Sequence, residues 1–137
     1  MKYTDKNKPL QCMFTQSGWA KEMGSYSSKP VGILWHDTGG GNPSLKRYVQ
    51  PSTNDANRST LLKKLGTNGN ANDWNHSSSP YAVNAFIGKF ADGTVGTVQV
   101  GPWTRPPYGC GAGDTRTGTK RGLNSCNGYI FTNQYEW

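Results

Sequence analysis

Short apolar runs separated by polar, glycine-rich segments predict several strands along this chain. Residues 31–36 are largely apolar and predict a buried strand, and the aromatic residues 129–137 predict a final strand. Residues 82–90 and 94–100 predict two strands joined by a tight turn at residues 91–93, because Asp-Gly between apolar runs is typical of a hairpin. Strands therefore dominate the second half of the predicted fold.

Two other segments predict short helices. In residues 42–49, Asn42 is suited to cap a helix that has Pro43 at its first position. Residues 57–65 hold three leucines spaced i, i+1 and i+4, which form one apolar face, and Gly66 is a natural stop. The chain thus combines helices and strands, and no linker divides it into two domains.

The remaining polar segments predict irregular structure. Residues 1–30 predict an extended lead-in with short strand character around residues 10–14. Residues 67–80 are rich in Asn, Gly and Ser and predict a surface loop that carries Trp74 and His76. In that setting His76 is expected to be a solvated loop residue.

Composition favours a loop-rich, basic protein with anionic partners. The 137 residues include 18 Gly and 8 Pro, and 15 Lys and Arg against 8 Asp and Glu give a net charge of +7. Nucleic acid, anionic lipid and acidic wall polymers all fit this charge, but the scattered basic residues disfavour a nucleic-acid-binding domain. No apolar run approaches the ~20 residues of a membrane span, and the polar N-terminus predicts cytoplasmic synthesis without a secretory signal.

Three cysteines, an odd number without a C-x-x-C pair, favour reduced thiols over a disulfide scaffold. A bridge between Cys110 and Cys126 remains an alternative, as does their use as zinc thiolates. The third is Cys12.

His36 is the first candidate for chemistry. It ends the apolar run of residues 31–36 and precedes a turn that contains Gly39, Gly40 and Gly41. A strand that delivers an imidazole to a glycine-rich turn suits a metal ligand or a general base, because small residues let a substrate approach closely. A structural, hydrogen-bonded histidine is the alternative.

Several motifs, taken in order, resemble one enzyme family. These motifs are residues 32–39, 42–51, 72–76, 88–95, 102–103 and 108–113. In this order they resemble phage and clostridial N-acetylmuramoyl-L-alanine amidases, a zinc amidase family related to peptidoglycan recognition proteins. The resemblance covers roughly residues 10–128.

The resemblance implies a single α/β domain over residues 31–137, with a mixed central sheet flanked by helices and one Zn²⁺ ion in a surface groove. It implies that His36 is a zinc ligand and that Glu136, within Gln134-Tyr135-Glu136-Trp137, helps to move protons. The substrate would be peptidoglycan, cleaved at the amide between the lactyl group of N-acetylmuramic acid and L-alanine. Synthesis in the cytoplasm and action at the bacterial wall after release follow from the same resemblance.

The ligand set departs from the family, whose other two zinc ligands lie well downstream of the Glu-bearing strand. The sequence here stops at Trp137 and matches only His36. Three explanations stay open: a truncated or processed amidase, a muropeptide-binding module without catalysis, or recruitment of local ligands. His76 is one such substitute ligand.

Four residues are candidates for substrate binding. Trp74, Trp103 and Tyr108 are predicted to line a glycan groove, because sugar rings stack on aromatic side chains. Arg105 belongs to a basic segment that would form a rim for wall polymer. Core packing of Trp103 and an ordinary solvated loop for the basic segment are the alternatives.

Overall fold

The computed structural model describes residues 8–24, 27, 33–38, 40–107 and 131–135. Within them, five strands form one mixed sheet in the order β1-β4-β3-β5-β2. Both parallel and antiparallel pairs occur, so the predicted mixed α/β domain is confirmed at that level. The strands are β1 (Leu10–Gln11), β2 (Ile33–His36), β3 (Ala85–Lys89), β4 (Val95–Gln99) and β5 (Phe131–Tyr135).

The strand predictions agree with the sheet. β3 and β4 form the predicted antiparallel hairpin, and β2 ends at His36 as its apolar pattern indicated. β5 falls within the predicted final strand and lies between β2 and β3, parallel to both. The sheet therefore joins the middle of the chain to its C-terminal part.

Of the two predicted helices, one is confirmed and one is wrong. Helix α2 covers Arg58–Leu65 and stops at Gly66, whose φ of 89° is a conformation that glycine adopts without strain. Residues 42–49 instead contain a single 3₁₀ turn, Leu45–Arg47. The Asn42 side chain accepts a hydrogen bond from the Ser44 amide at 3.0 Å, a local turn that competes with helix initiation.

The extended conformation predicted for residues 1–30 is wrong over helix α1, Gly18–Met23. The Ser17 hydroxyl caps this helix by accepting a hydrogen bond from the Ala20 amide at 3.0 Å. Trp19 on α1 is fully buried, and its indole N–H donates to the carbonyl of Pro106 at 2.9 Å. Residues of the predicted lead-in thus pack in the same core as the rest of the domain.

The core lies between the sheet, the two helices and the segments that connect them. It draws residues from both helices, from β3 and β4, and from the connecting segments between residues 12 and 100. Its buried members are Cys12, Phe14, Trp19, Met23, Leu45, Tyr48, Val49, Leu61, Leu65, Ala82, Val83, Phe86, Val98 and Val100.

The polar segment 67–80 contains neither helix nor strand, as predicted, but its uniform surface position is wrong. Asp73 and Asn75 are only 2% and 0% exposed. The polar composition of the segment predicted that both residues are exposed. Polar side chains can nevertheless be buried where hydrogen bonds satisfy them. Among the described helices none is long and apolar enough to cross a membrane.

Candidate functional site at the carboxyl edge of the sheet

The parallel strands β2 and β5 bring their carboxyl ends to the same edge of the sheet. His36, the last residue of β2, pairs with Gln134 of β5, and Gln134 pairs in turn with Phe86 of β3. His36 and Phe86 are therefore level with each other, two strand spacings of ~5 Å apart. Sites in α/β sheets commonly lie just outside this edge.

His36 presents an unusual polar atom at this edge. Its Nε2 is buried and has no hydrogen-bond partner within the described part of the chain, and the same holds for Oγ1 of Thr38, two residues along. An unpaired buried polar atom costs ~1–3 kcal/mol, so native structures rarely keep one without a reason. His36 Nε2 and Thr38 Oγ1 are therefore two candidates for contact with a ligand.

The turn after His36 is closed by Tyr48. The Tyr48 hydroxyl donates to the carbonyl of Asn42 at 3.2 Å. A Cβ built on Gly40 would lie 3.9 Å from that hydroxyl and 4.0 Å from Thr38 Oγ1. The glycine-rich turn thus runs between the hydroxyls of Thr38 and Tyr48, beside the histidine.

Aromatic rings connect this turn to the segment of residues 73–81. Tyr48 stacks on Phe86 with ring centroids 6.0 Å apart, and Trp74 meets Phe86 edge-on at 5.3 Å and 90°. The Trp74 amide also donates to the Tyr48 carbonyl at 2.9 Å. The predicted substrate residue Trp74 is therefore fixed against Phe86, the residue that is level with His36 in the sheet.

His76 is held by Asp73. Both carboxylate oxygens of Asp73 lie 2.9 Å from Nδ1 of His76, whose side chain is 27% exposed. A carboxylate on Nδ1 favours the tautomer with the proton on that nitrogen, so Nε2 is left as the acceptor. His76 is an exposed residue of an irregular segment, as the sequence predicted, and Asp73 in addition orients its ring.

Trp103 and Arg105 lie in the turn after β4, where the Arg105 amide donates to the carbonyl of Pro102 at 3.0 Å. The Arg105 guanidinium stacks over the ring of Trp19 at 4.9 Å. Burial lowers the pKa of Arg105, and its buried Nη1 has no hydrogen-bond partner in the described ranges. The structure thus holds this arginine against the core, while Trp103 is half-buried.

Only some of the candidate zinc ligands, among them His36 and His76, lie within the described residues. Within the described ranges, no group of three or more His, Cys, Asp and Glu side chains is arranged to hold a metal ion. Burial, followed by the charges of Asp55 and Asp73, raises the pKa of Cys12 to about 12, so its thiol is a poor ligand at neutral pH. His36 fits one ligand position by its chemistry and its orphaned nitrogen. The candidates Tyr108, Cys110, Cys126 and Glu136 lie outside the described residues.

Sequence reasoning missed Thr38, Tyr48 and Asp73. The Thr38 hydroxyl directly follows the His-Asp pair, which was a usable signal, and Asp73 lies three residues before His76. Tyr48 offered no such signal, since only the fold brings it to the turn.

No family model, no curated protein and no solved structure matches the chain.

Proposed function

We propose that this protein acts on bacterial peptidoglycan as an N-acetylmuramoyl-L-alanine amidase, with His36 as a ligand of a catalytic Zn²⁺ ion. One observation carries the proposal: the buried Nε2 of His36, at the carboxyl edge of the sheet, has no hydrogen-bond partner among the residues that the structure describes. A metal ion is a natural partner for a neutral imidazole nitrogen in that position.

Zinc at this site would polarise the amide carbonyl and lower the pKa of a bound water, chemistry that an unreactive amide requires. The residues of the chain would do the rest. The Thr38 hydroxyl, which no described residue hydrogen-bonds, would hydrogen-bond the substrate, and Glu136 is the candidate for moving protons. The other zinc ligands are to be sought among Cys110, Cys126 and His76.

The surface chemistry supports a wall polymer as substrate. A net charge of +7 favours association with the acidic polymers of a bacterial wall. Trp74 is half-buried and packs edge-on against the buried ring of Phe86, and its ring suits the face of a sugar. We place the protein's action at the wall, after release from the cytoplasm.

The test is hydrolysis of purified sacculi with excess zinc, measured as newly exposed L-alanine amino groups. That readout reports cleavage of the lactyl–alanine amide, whereas glycosidases release reducing sugars instead. The parent chain should release alanine amines, His36→Ala should release none, and the exposed control Asn70→Ala should match the parent.

Reducing sugars without alanine amines, or equal activity of His36→Ala, would contradict the proposal. A folded parent that binds sacculi in a pull-down without cleaving them would overturn the hydrolase and leave the alternative, a muropeptide-binding module.

A further inference from the structure

A cavity of about 230 Å³ opens beside the candidate site. It is lined by Trp74, Ser77, Ser79 and Tyr81. All four residues belong to one short segment of the chain, and none of them carries a charge. Pockets that combine aromatic faces with a few hydroxyl groups bind neutral, polar ligands.

The backbone of this segment is fixed without a ligand. The carbonyls of Ser77 and Ser79 accept hydrogen bonds from the amides of Gly18 and Trp19, at 2.9 and 3.1 Å, at the start of α1. Because α1 is anchored by the buried Trp19, the pocket wall is attached to the core. A preformed wall reduces the entropy lost when a ligand binds.

Each serine hydroxyl in the pocket accepts a hydrogen bond from the backbone. Ser77 Oγ accepts from the Ser79 amide at 3.1 Å, and Ser79 Oγ accepts from the Tyr81 amide at 3.2 Å. A hydroxyl has one proton to donate besides its lone pairs, and neither serine donates it to another described residue. The pocket therefore offers two oriented donors to the oxygen atoms of a ligand.

The aromatic side chains supply faces for stacking. Trp74 is fixed edge-on against Phe86, and Tyr81 is 64% exposed although its ring is large and apolar. Carbohydrate rings present C–H groups on their faces and hydroxyls at their edges, which match aromatic faces and oriented hydroxyl donors. A phosphate-bearing ligand such as nucleic acid would need cationic side chains, which this lining lacks.

We infer that the cavity is a subsite for one sugar ring of the glycan strand, with Trp74 and Tyr81 as stacking residues and Ser77 and Ser79 as hydrogen-bond donors. Peptidoglycan as the source of the sugar rests on the proposed function. The subsite itself rests on the lining of the cavity. Trp74 also contacts Phe86, which is level with His36 in the sheet, and this contact connects the cavity with the candidate site.

The test is isothermal titration of the full chain with the N-acetylglucosamine trimer, a soluble glycan without lactyl or peptide groups. The parent should bind it, and Tyr81→Ala should bind about tenfold more weakly. Tyr81→Phe, which keeps the ring, should stay within about threefold of the parent. Val95→Ala is the matched control, since Val95 is 66% exposed and lies outside the cavity.

Trp74→Ala also removes packing against Phe86, so Tyr81, an exposed residue, carries the test. No binding by the parent, or equal binding by Tyr81→Ala, would overturn the subsite. Binding of a single-stranded oligonucleotide that Tyr81→Ala abolishes, without trimer binding, would overturn it in favour of a nucleic-acid partner.

Failure of the subsite and failure of the proposed function are distinguishable. The trimer contains no cleavable amide, so its binding requires neither zinc nor hydrolysis. A chain that binds the trimer through Tyr81 but releases no alanine amines from sacculi would support the subsite and overturn the amidase. Hydrolysis of sacculi without trimer binding would support the amidase and overturn the subsite.

Discussion

Asn75 and His36 are both polar residues with buried atoms, yet their surroundings are opposite. The Asn75 side chain accepts from the amides of Thr15 and Gln16 and donates to the Gln50 carbonyl and the Ser52 hydroxyl. The buried Nε2 of His36 has no hydrogen-bond partner among the described residues. The hydrogen bonds of Asn75 thus hold three chain segments together. The Nε2 atom of His36 makes no such bond to a described residue and is a candidate to bind a ligand.

The difference separates architecture from function. A buried polar group that is fully hydrogen-bonded stabilises and specifies the fold, and one that is unpaired lowers stability unless a ligand completes it. By this criterion the buried residues Asp73 and Asn75 have a structural role. The turn after His36 is the part of the sheet edge that a ligand would stabilise.

The largest effect is expected at Asn75. Asn75→Ala removes four side-chain hydrogen bonds and leaves buried partners such as the Gln50 carbonyl unsatisfied. We expect the free energy of unfolding to fall by about 3 kcal/mol, as measured by urea denaturation. The exposed control Asn70→Ala should change it by less than ~0.5 kcal/mol. Equal effects of the two variants would show that the buried network adds little stability.

A second expectation concerns Cys12, whose buried thiol is influenced by Asp73 of the same region. Its pKa is raised from 9.0 to about 12, so between these values the unfolded thiol loses its proton and the folded one keeps it. Stability should therefore fall as pH rises through this window, by up to ~1.4 kcal/mol per pH unit from this group.

Urea denaturation of Cys12→Ala and the parent from pH 8 to pH 11 isolates that contribution. The variant should start less stable, because it lacks the buried sulfur, and should lose less stability above pH 9. Parallel curves for the two proteins would contradict a raised thiol pKa.

The smallest effect is expected at His36 when metal is removed by a chelator. His36→Ala deletes the ring along with its unpaired nitrogen, so the loss of contacts is partly offset. The free energy of unfolding should change by less than ~1 kcal/mol. A decrease in the free energy of unfolding as large as that of Asn75→Ala would show that His36 is a structural histidine, the alternative given in the sequence analysis.

The sequence predicted those elements whose signals are local. The β3–β4 hairpin follows from alternating residues around Asp92-Gly93, and α2 follows from its leucine spacing and Gly66. Helix α1 was missed because its six residues are too few for a periodic pattern, and its stability comes from burial of Trp19.

Site residues could be predicted only where the local sequence around a single residue indicated its role. His36 was found because a single strand and turn present it, and Trp74 because it is an aromatic residue in a polar loop. Tyr48 contributes through contacts between distant segments, which composition and periodicity do not encode. Tyr81 contributes through a cavity whose shape the sequence does not reveal. The burial of Asp73 and Asn75 likewise depends on partners elsewhere in the chain, such as Ser52.

The most direct test of the central claim is zinc stoichiometry by native mass spectrometry of the purified, folded chain. The account predicts about one zinc ion per parent chain and none on His36→Ala, while Asn70→Ala keeps the ion. The variants His76→Ala, Cys110→Ala and Cys126→Ala would then identify the remaining ligands. A folded parent without zinc at saturating concentration, or one whose zinc survives His36→Ala, would contradict the account.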